Sequence, residues 1–229
     1  MDRLILFDID GTLLTSNGAS GLPFRRALET VFGTSGPAEG YSFAGRTDPQ
    51  IARELLARAG VPAERIDSRL ERVWDLYLQD LPDALAHAQI TVLPGVPQLL
   101  DGLELEPTGI LGLLTGNVRE GARLKLEAAG IGFDRFAVGA FGSDHGDRPE
   151  LPAVAIRRAE ERFGHRFSGK SVVIIGDTPH DIACGEHLGV RTIAVATGHY
   201  ELAALAACRP DFLFETLADT EAVLRAIFS

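Results

Sequence analysis

The chain has 229 residues, 45% of them hydrophobic, and carries a formal net charge of −10. That length builds one sizeable core, alone or with a small insert, and the acidic balance argues against nucleic acid or an anionic membrane as a partner while suiting a divalent cation. The two cysteines, Cys184 and Cys208, form no CxxC pair, so neither a disulfide framework nor a zinc site is expected; a reduced cytoplasm is the expected compartment, with both thiols acting as small buried hydrophobes.

Arg3 is followed by a short apolar run, too brief for a signal peptide, and no stretch reaches membrane-spanning length. Residues 3–7 read as a buried strand, ending in Asp8-Ile9-Asp10-Gly11-Thr12. Residues 15–90 then carry no convincing strand. "LPFRRALETVFG", "DPQIARELLARAG" and "AERIDSRLERVWDLYLQDLPDALA" show amphipathic helical spacing, the last predicting one helix over 63–86 with Ile66, Leu70, Val73, Trp74, Tyr77 and Leu78 as core. A polar loop, "FAGRTDPQI" at 43–51, joins two of these helices.

From 91 onward strands and helices alternate. Strands are expected at 109–115, 136–141, 171–177, 191–197 and 211–215. Helices are expected at 96–103, 118–129, 150–164, 179–189, 199–207 and 217–228. This pattern predicts an α/β fold, a doubly wound parallel sheet with a Rossmann-like core. Residues 1–14 and 91–229 form that core, and 15–90 form a helical cap inserted after the first strand.

A parallel sheet gathers the carboxyl ends of its strands at one edge, where ligands bind. Those ends carry Asp8 to Thr12, then Thr115-Gly116-Asn117, then Arg148-Pro149-Glu150, then Gly176-Asp177-Thr178-Pro179-His180-Asp181. "DIDGTLL" resembles the nucleophile motif of the haloacid dehalogenase-like hydrolase superfamily. "LLTGN" is similar to its second motif, an apolar strand ending in Ser or Thr, and "IIGDTPHDI" resembles its fourth, GDxxxD. Order and spacing match over nearly the whole chain. The helical insert implies the subgroup that includes phosphoglycolate phosphatase-like enzymes and β-phosphoglucomutase.

The resemblance implies a phosphatase acting on a small phosphorylated metabolite through an aspartyl-phosphate on Asp8, with magnesium as cofactor. Asp8 and Asp177 would ligate the metal, with the backbone carbonyl of Asp10; Asp181 would act through water or by orienting its neighbours. Strand alternation sends Asp8 and Asp10 to one side, so Asp10 could protonate the leaving oxygen and then activate water. Thr115 would hydrogen-bond a phosphoryl oxygen, and the helix opening at Gly116 and Asn117 would offer N–H groups to the same anion. Arg46, in the cap loop, could reach the substrate across the cleft.

One position departs from the pattern. The third motif is usually a lysine, and the chain's only lysines are Lys125 and Lys170. Arg148 stands in the expected loop and is read as the substitute, with Lys125 as its rival for the position. Lys125, about two turns into the helix after Thr115, is expected to point away from the cleft. Residues 15–90 contain no lysine, against a Schiff-base phosphonoacetaldehyde hydrolase, and Asp10 argues against the true dehalogenases.

Plainer readings stand beside these. Asp8 and Asp10 could mark a strand turning into solvent, Asp177 and Asp181 a helix cap, and Arg46 a solvated arginine with Thr47 or Asp48 capping the next helix. His180 is expected to pack or bond locally. A phosphomutase, or a catalytically weak phosphate-binding module, remains the alternative to a phosphatase, and the oligomeric state is open.

Overall fold

A computed structural model describes residues 2–229. The first strand, β1 (Arg3–Phe7), lies in the middle of a six-stranded sheet. A two-residue strand, β2 (Leu14–Thr15), precedes the helices α1 (Gly21–Phe32), α2 (Asp48–Arg58), α3 (Ala63–Asp67) and α4 (Leu70–Ala86). The partner of β2, β3 (Thr91–Val92), pairs with it antiparallel, so a short ribbon the sequence reading did not include ties the two ends of the helical segment together.

The remainder alternates. It runs α5 (Val96–Glu104), β4 (Gly109–Thr115), α6 (Arg119–Ala128), β5 (Val138–Phe141), α7 (Leu151–Phe163), β6 (Val172–Gly176), α8 (Pro179–Cys184), β7 (Arg191–Val195), α9 (Leu202–Ala207), β8 (Phe212–Phe214) and α10 (Thr220–Phe228). The sheet order is β5-β4-β1-β6-β7-β8, and every pairing in it is parallel. The chain therefore builds one side of β1 and then returns to build the other. That reversal opens a crevice at the carboxyl ends of β1, β4 and β6.

Register fixes what meets there. Phe7 is level with Leu113 on β4 and with Ile175 on β6. The Asp8 N–H donates to the Ile175 carbonyl at 2.9 Å. Asp8, Thr115 and Asp177 consequently leave the sheet at one edge.

The sheet is apolar on both faces, as strands covered by helices must be. Ile5, Phe7, Leu111, Leu113, Val173 and Ile175 face a core shared with Leu99 and Leu103 of α5 and Val223 and Ile227 of α10. Leu4, Leu6, Leu114 and Ile174 pack instead on Leu151, Ala155 and Ala159 of α7. The helical cap has its own core, built from the i, i+3, i+4 stripes Phe24, Leu28 and Phe32 of α1 and Val73, Tyr77 and Leu81 of α4. Val118, at the start of α6, joins that cluster and links cap to sheet.

Two local expectations are corrected. The helix expected over 63–86 breaks between α3 and α4. There the Ser68 hydroxyl donates to the Arg65 carbonyl at 3.2 Å and the Arg69 N–H donates to the Ile66 carbonyl at 3.0 Å, a tight local turn that competes with the helical ladder. Ile66, Leu70, Val73 and Tyr77 are nonetheless buried, as the spacing requires. Cys184 is buried as expected, but Cys208, just past the end of α9, is exposed. Among the described residues no helix is long and apolar enough to cross a membrane.

Ile5 is wholly buried on the central strand. Ile5→Ala should cost about 2–5 kcal/mol in a urea unfolding series, and a loss below about 1 kcal/mol would contradict this packing.

Candidate active site

The turn after β1 is shaped by close approach. Gly11 has φ +89°, and a Cβ there would fall 2.4 Å from Asp177 Oδ2, so backbone hand and space both demand glycine. The Thr12 hydroxyl donates to Asp177 Oδ1 at 3.2 Å, and Thr197 Oγ1 donates to the Gly11 carbonyl at 2.6 Å. The turn thus holds the end of β1 against the end of β6.

Asp8, Asp177 and Asp181 come together, each offering a carboxylate oxygen within 4.8 Å of the others. All three are buried. Asp181 belongs to a reciprocal cap at the start of α8: its Oδ2 accepts from the Thr178 N–H at 2.9 Å and the Thr178 hydroxyl at 2.7 Å, and its own N–H donates to Thr178 Oγ1 at 3.3 Å. Arg148, itself buried, spans the acids. Its Nη2 donates to Asp8 Oδ1 at 2.9 Å, to the Leu114 carbonyl at 3.3 Å and to Asp181 Oδ1.

Burial pushes the Asp8 carboxyl up to about 7, against the pull of Arg148. Burial, and then the charges of Asp8 and Asp181, push Asp177 up to about 9. Three carboxylates facing one guanidinium leave two negative charges uncompensated when all are ionised. Hard oxygen donors with a twofold charge deficit suit a divalent cation. Asp181 already spends both oxygens on Thr178 and Arg148, whereas Asp8 Oδ2 and Asp177 Oδ2 accept no bond from the described residues.

Asp10 lies outside that cluster, in a second one. Its Oδ2 accepts from Asn117 Nδ2 at 2.7 Å, and Asn117 Nδ2 also donates to Thr115 Oγ1 at 2.8 Å. Lys125 completes the group, its Nζ lying 2.9 and 2.7 Å from the two Asp10 oxygens and 2.7 Å from Asn117 Oδ1. The expectation that Lys125 points away is therefore overturned. Helical side chains lean toward their helix's N-terminus, so the lysine stem runs back toward the mouth of the cleft, where the Asp10 and Asn117 side chains reach in to meet it. Burial alone would lower its pKa, but Asp10, Tyr77 and Asp48 together raise it above the ordinary lysine value.

The cap closes directly over this second cluster. Thr47 caps α2 by accepting from the Gln50 N–H at 3.2 Å, and its hydroxyl also donates to the Gly146 carbonyl on the core. Asp48 reaches across, accepting the Val118 N–H at 2.8 Å, while its N–H donates to the Gly116 carbonyl at 2.8 Å. Burial pushes Asp48 up to about 6, against the pull of Lys125. At Gly116 any Cβ would sit 2.0 Å from the Arg46 carbonyl, so the strand end and the cap loop touch through backbone alone.

The Arg46 side chain is otherwise engaged. Its Nη1 donates to Glu54 at 2.8 and 3.0 Å, and its guanidinium lies 5.3 Å from the Tyr41 ring centroid, while its Nε is buried with no partner. His180 lies under the same loop with its side chain exposed on one side; partial burial, then Arg148 and Arg46, lower its pKa. Glu54 has no role in the sequence reading, which takes Tyr77 only as core and Asp48 only as a candidate helix cap. Asp48 carried a usable signal, an acid at the first turn of a cap helix facing the strand-end loop.

The haloacid dehalogenase-like hydrolase family matches residues 5–195. The chain is similar to pyrophosphatase PpaX of Bacillus velezensis, with 26% identity over 94% of this chain and 93% of that protein. It is also similar to phosphoglycolate phosphatase of Vibrio cholerae, with 25% identity over 94% of this chain and 93% of that one. Among solved structures, a predicted phosphoglycolate phosphatase from Haemophilus somnus superposes with a TM-score of 0.69 over 97% of this chain and 98% of that one; at 22% identity it supports the fold alone. With the motif residues gathered at one sheet edge, these matches place the chain in the haloacid dehalogenase-like hydrolase family, as one of its phosphatases.

Proposed function

We propose that the protein is a magnesium-dependent phosphatase that hydrolyses a small phosphorylated metabolite, phosphoglycolate-like in size and charge, through an aspartyl-phosphate on Asp8. The observation that carries this reading is the buried acid cluster, with its charge deficit of two, at the end of the central strand. The relatives named for phosphoglycolate and pyrophosphate hydrolysis support the substrate class.

In this reading Asp8 and Asp177 hold the cation together with the backbone carbonyl of Asp10, while Asp181 orients Arg148 and the α8 N-terminus. When bound, the cation neutralises carboxylate and phosphate charge, allowing one anion to approach another. An Asp8 oxygen attacks phosphorus while the bond to the leaving oxygen breaks, and Asp10 gives that oxygen its proton. Asp10 then takes a proton from water as water attacks the aspartyl-phosphate, releasing phosphate and restoring Asp8. Thr115 and the N–H groups at Gly116 and Asn117 hold the phosphoryl oxygens. Arg148 keeps Asp8 aligned and supplies positive charge. Arg46, released from Glu54, meets the remote end of the substrate.

Purified protein with magnesium should release inorganic phosphate from 4-nitrophenyl phosphate and from phosphoglycolate. Asp8→Asn should lower that rate by at least about a thousandfold, since the nucleophile is gone. Retention of full activity would overturn the mechanism, and isomerisation of a sugar phosphate without net phosphate release would favour a mutase.

Arg148→Ala leaves buried carboxylates without their cation. It should destabilise the fold by about 3–5 kcal/mol in chemical denaturation, and Arg148→Lys should recover most of that loss. Equal stability of the Ala and Lys variants would remove Arg148 from this role.

The pH dependence has a definite sign. Folded Asp8 and Asp177 keep their protons up to about 7 and about 9, against 3.8 for an ordinary aspartate. Over that window the folded state holds more protons than the unfolded chain, so these groups make metal-free stability fall as pH rises. A cation needs the carboxylates ionised, so its stabilising effect grows over the same window. The gain in Tm on adding magnesium should be larger at about pH 8.5 than at about pH 5.5, and equal gains would count against the site.

A further inference from the structure

Lys125 lies in none of the four motif segments, yet it is among the most thoroughly satisfied cations in the molecule. Its side chain is 6% exposed. Its three ammonium protons meet three acceptors: both oxygens of Asp10 and Oδ1 of Asn117. Asn117 closes the triangle through its Nδ2 to Asp10 Oδ2. The Asp10 side chain, by contrast, is 41% exposed, so the aspartate is clamped on its inner side and open toward the cleft. Asp48, from the cap, bears on the same ammonium by charge. Burying a lysine is costly unless it is fully paired, and removing one partner of such a pair leaves the other stranded.

From this geometry we propose that Lys125 is a positioning residue for Asp10: it holds the carboxyl group by its inner edge, so that the group, once protonated from solvent on its cleft-facing side, presents that proton to the leaving oxygen as the P–O bond breaks. The inference rests on the reading of Asp10 as proton donor. It divides the cationic labour in the site: Arg148 serves Asp8 and Asp181, and Lys125 serves Asp10.

The leaving group tests it. The constant kcat/KM covers only the steps through departure of the leaving group, so it is blind to hydrolysis of the aspartyl-phosphate. An alkyl phosphate such as phosphoglycolate needs its leaving oxygen protonated. The aryl oxygen of 4-nitrophenyl phosphate leaves readily as an anion and needs little help. Lys125→Met should therefore lower kcat/KM for phosphoglycolate by at least about tenfold and for 4-nitrophenyl phosphate by less than about threefold, a share of the usual general-acid contribution. Lys125→Arg, which keeps the charge, should show the same discrimination in smaller degree, and it serves if the Met variant does not fold. In an Asp10→Asn background Lys125→Met should add nothing to the discrimination.

Equal losses on both esters, or none, would overturn the role of Lys125. Asp10→Asn separates the two levels of the argument. If it discriminates between the esters and neither Lys125 variant does, only the positioning role falls. If Asp10→Asn itself fails to discriminate, the reading of Asp10 falls and takes Lys125 with it.

Discussion

The acid cluster at the cleft follows from burying three carboxylates at the end of a parallel sheet against a single guanidinium. Ionised acids in a poorly solvated site are tolerated only when paired, bonded or neutralised. The chain does some of each. Asp181 is absorbed into the Thr178 cap, Asp177 takes the Thr12 hydroxyl, and Asp8 and Asp181 share Arg148. The raised values of Asp8 and Asp177 measure what these partners leave undone. A buried acid cluster this short of positive charge could hold a divalent cation.

The second polar cluster obeys a different logic. Asp10, Asn117, Thr115 and Lys125 form a closed hydrogen-bonded set with its own balance of charge. It is separated from the first by the direction of two side chains only two residues apart. Asp8 turns toward Arg148 on the loop before α7, and Asp10 turns toward α6. The cap docks on the second cluster, through Asp48 on Val118 and the Arg46 carbonyl over Gly116. Cap position and the surroundings of Asp10 are therefore coupled by contact, while the acid cluster around Asp8 rests on the sheet.

The sheet was legible because each parallel strand is buried on both faces and so reads as a continuous apolar run, with its polar residues pushed to the carboxyl end. That is how Asp8, Thr115 and Asp177 could be set side by side before any register was known. What could not be read depends on reach and on local competition. The direction of Lys125 turns on the lean of a helical side chain and a long stem, not on its distance along the helix. The break after Asp67 turns on one serine hydroxyl, within a hydrophobic stripe that continues unbroken on either side. The ribbon of Leu14–Thr15 with Thr91–Val92 is two residues long and has no period to detect. The Arg46 side chain was free to be imagined across the cleft because Glu54, eight residues on, gives no sequence sign that it will hold it.

The arginine standing where the family usually has lysine deserves a geometric account. A guanidinium is prized for its fork, two parallel donors matched to one carboxylate. Arg148 does not use the fork in that way. One terminal nitrogen, Nη2, touches Asp8, Asp181 and the Leu114 carbonyl, and Nε is buried with no partner. A single nitrogen bridging two acids and a carbonyl is the contact pattern of an ammonium. Arg148 therefore sets a point of positive charge between the two aspartates and leaves part of its donor capacity unspent.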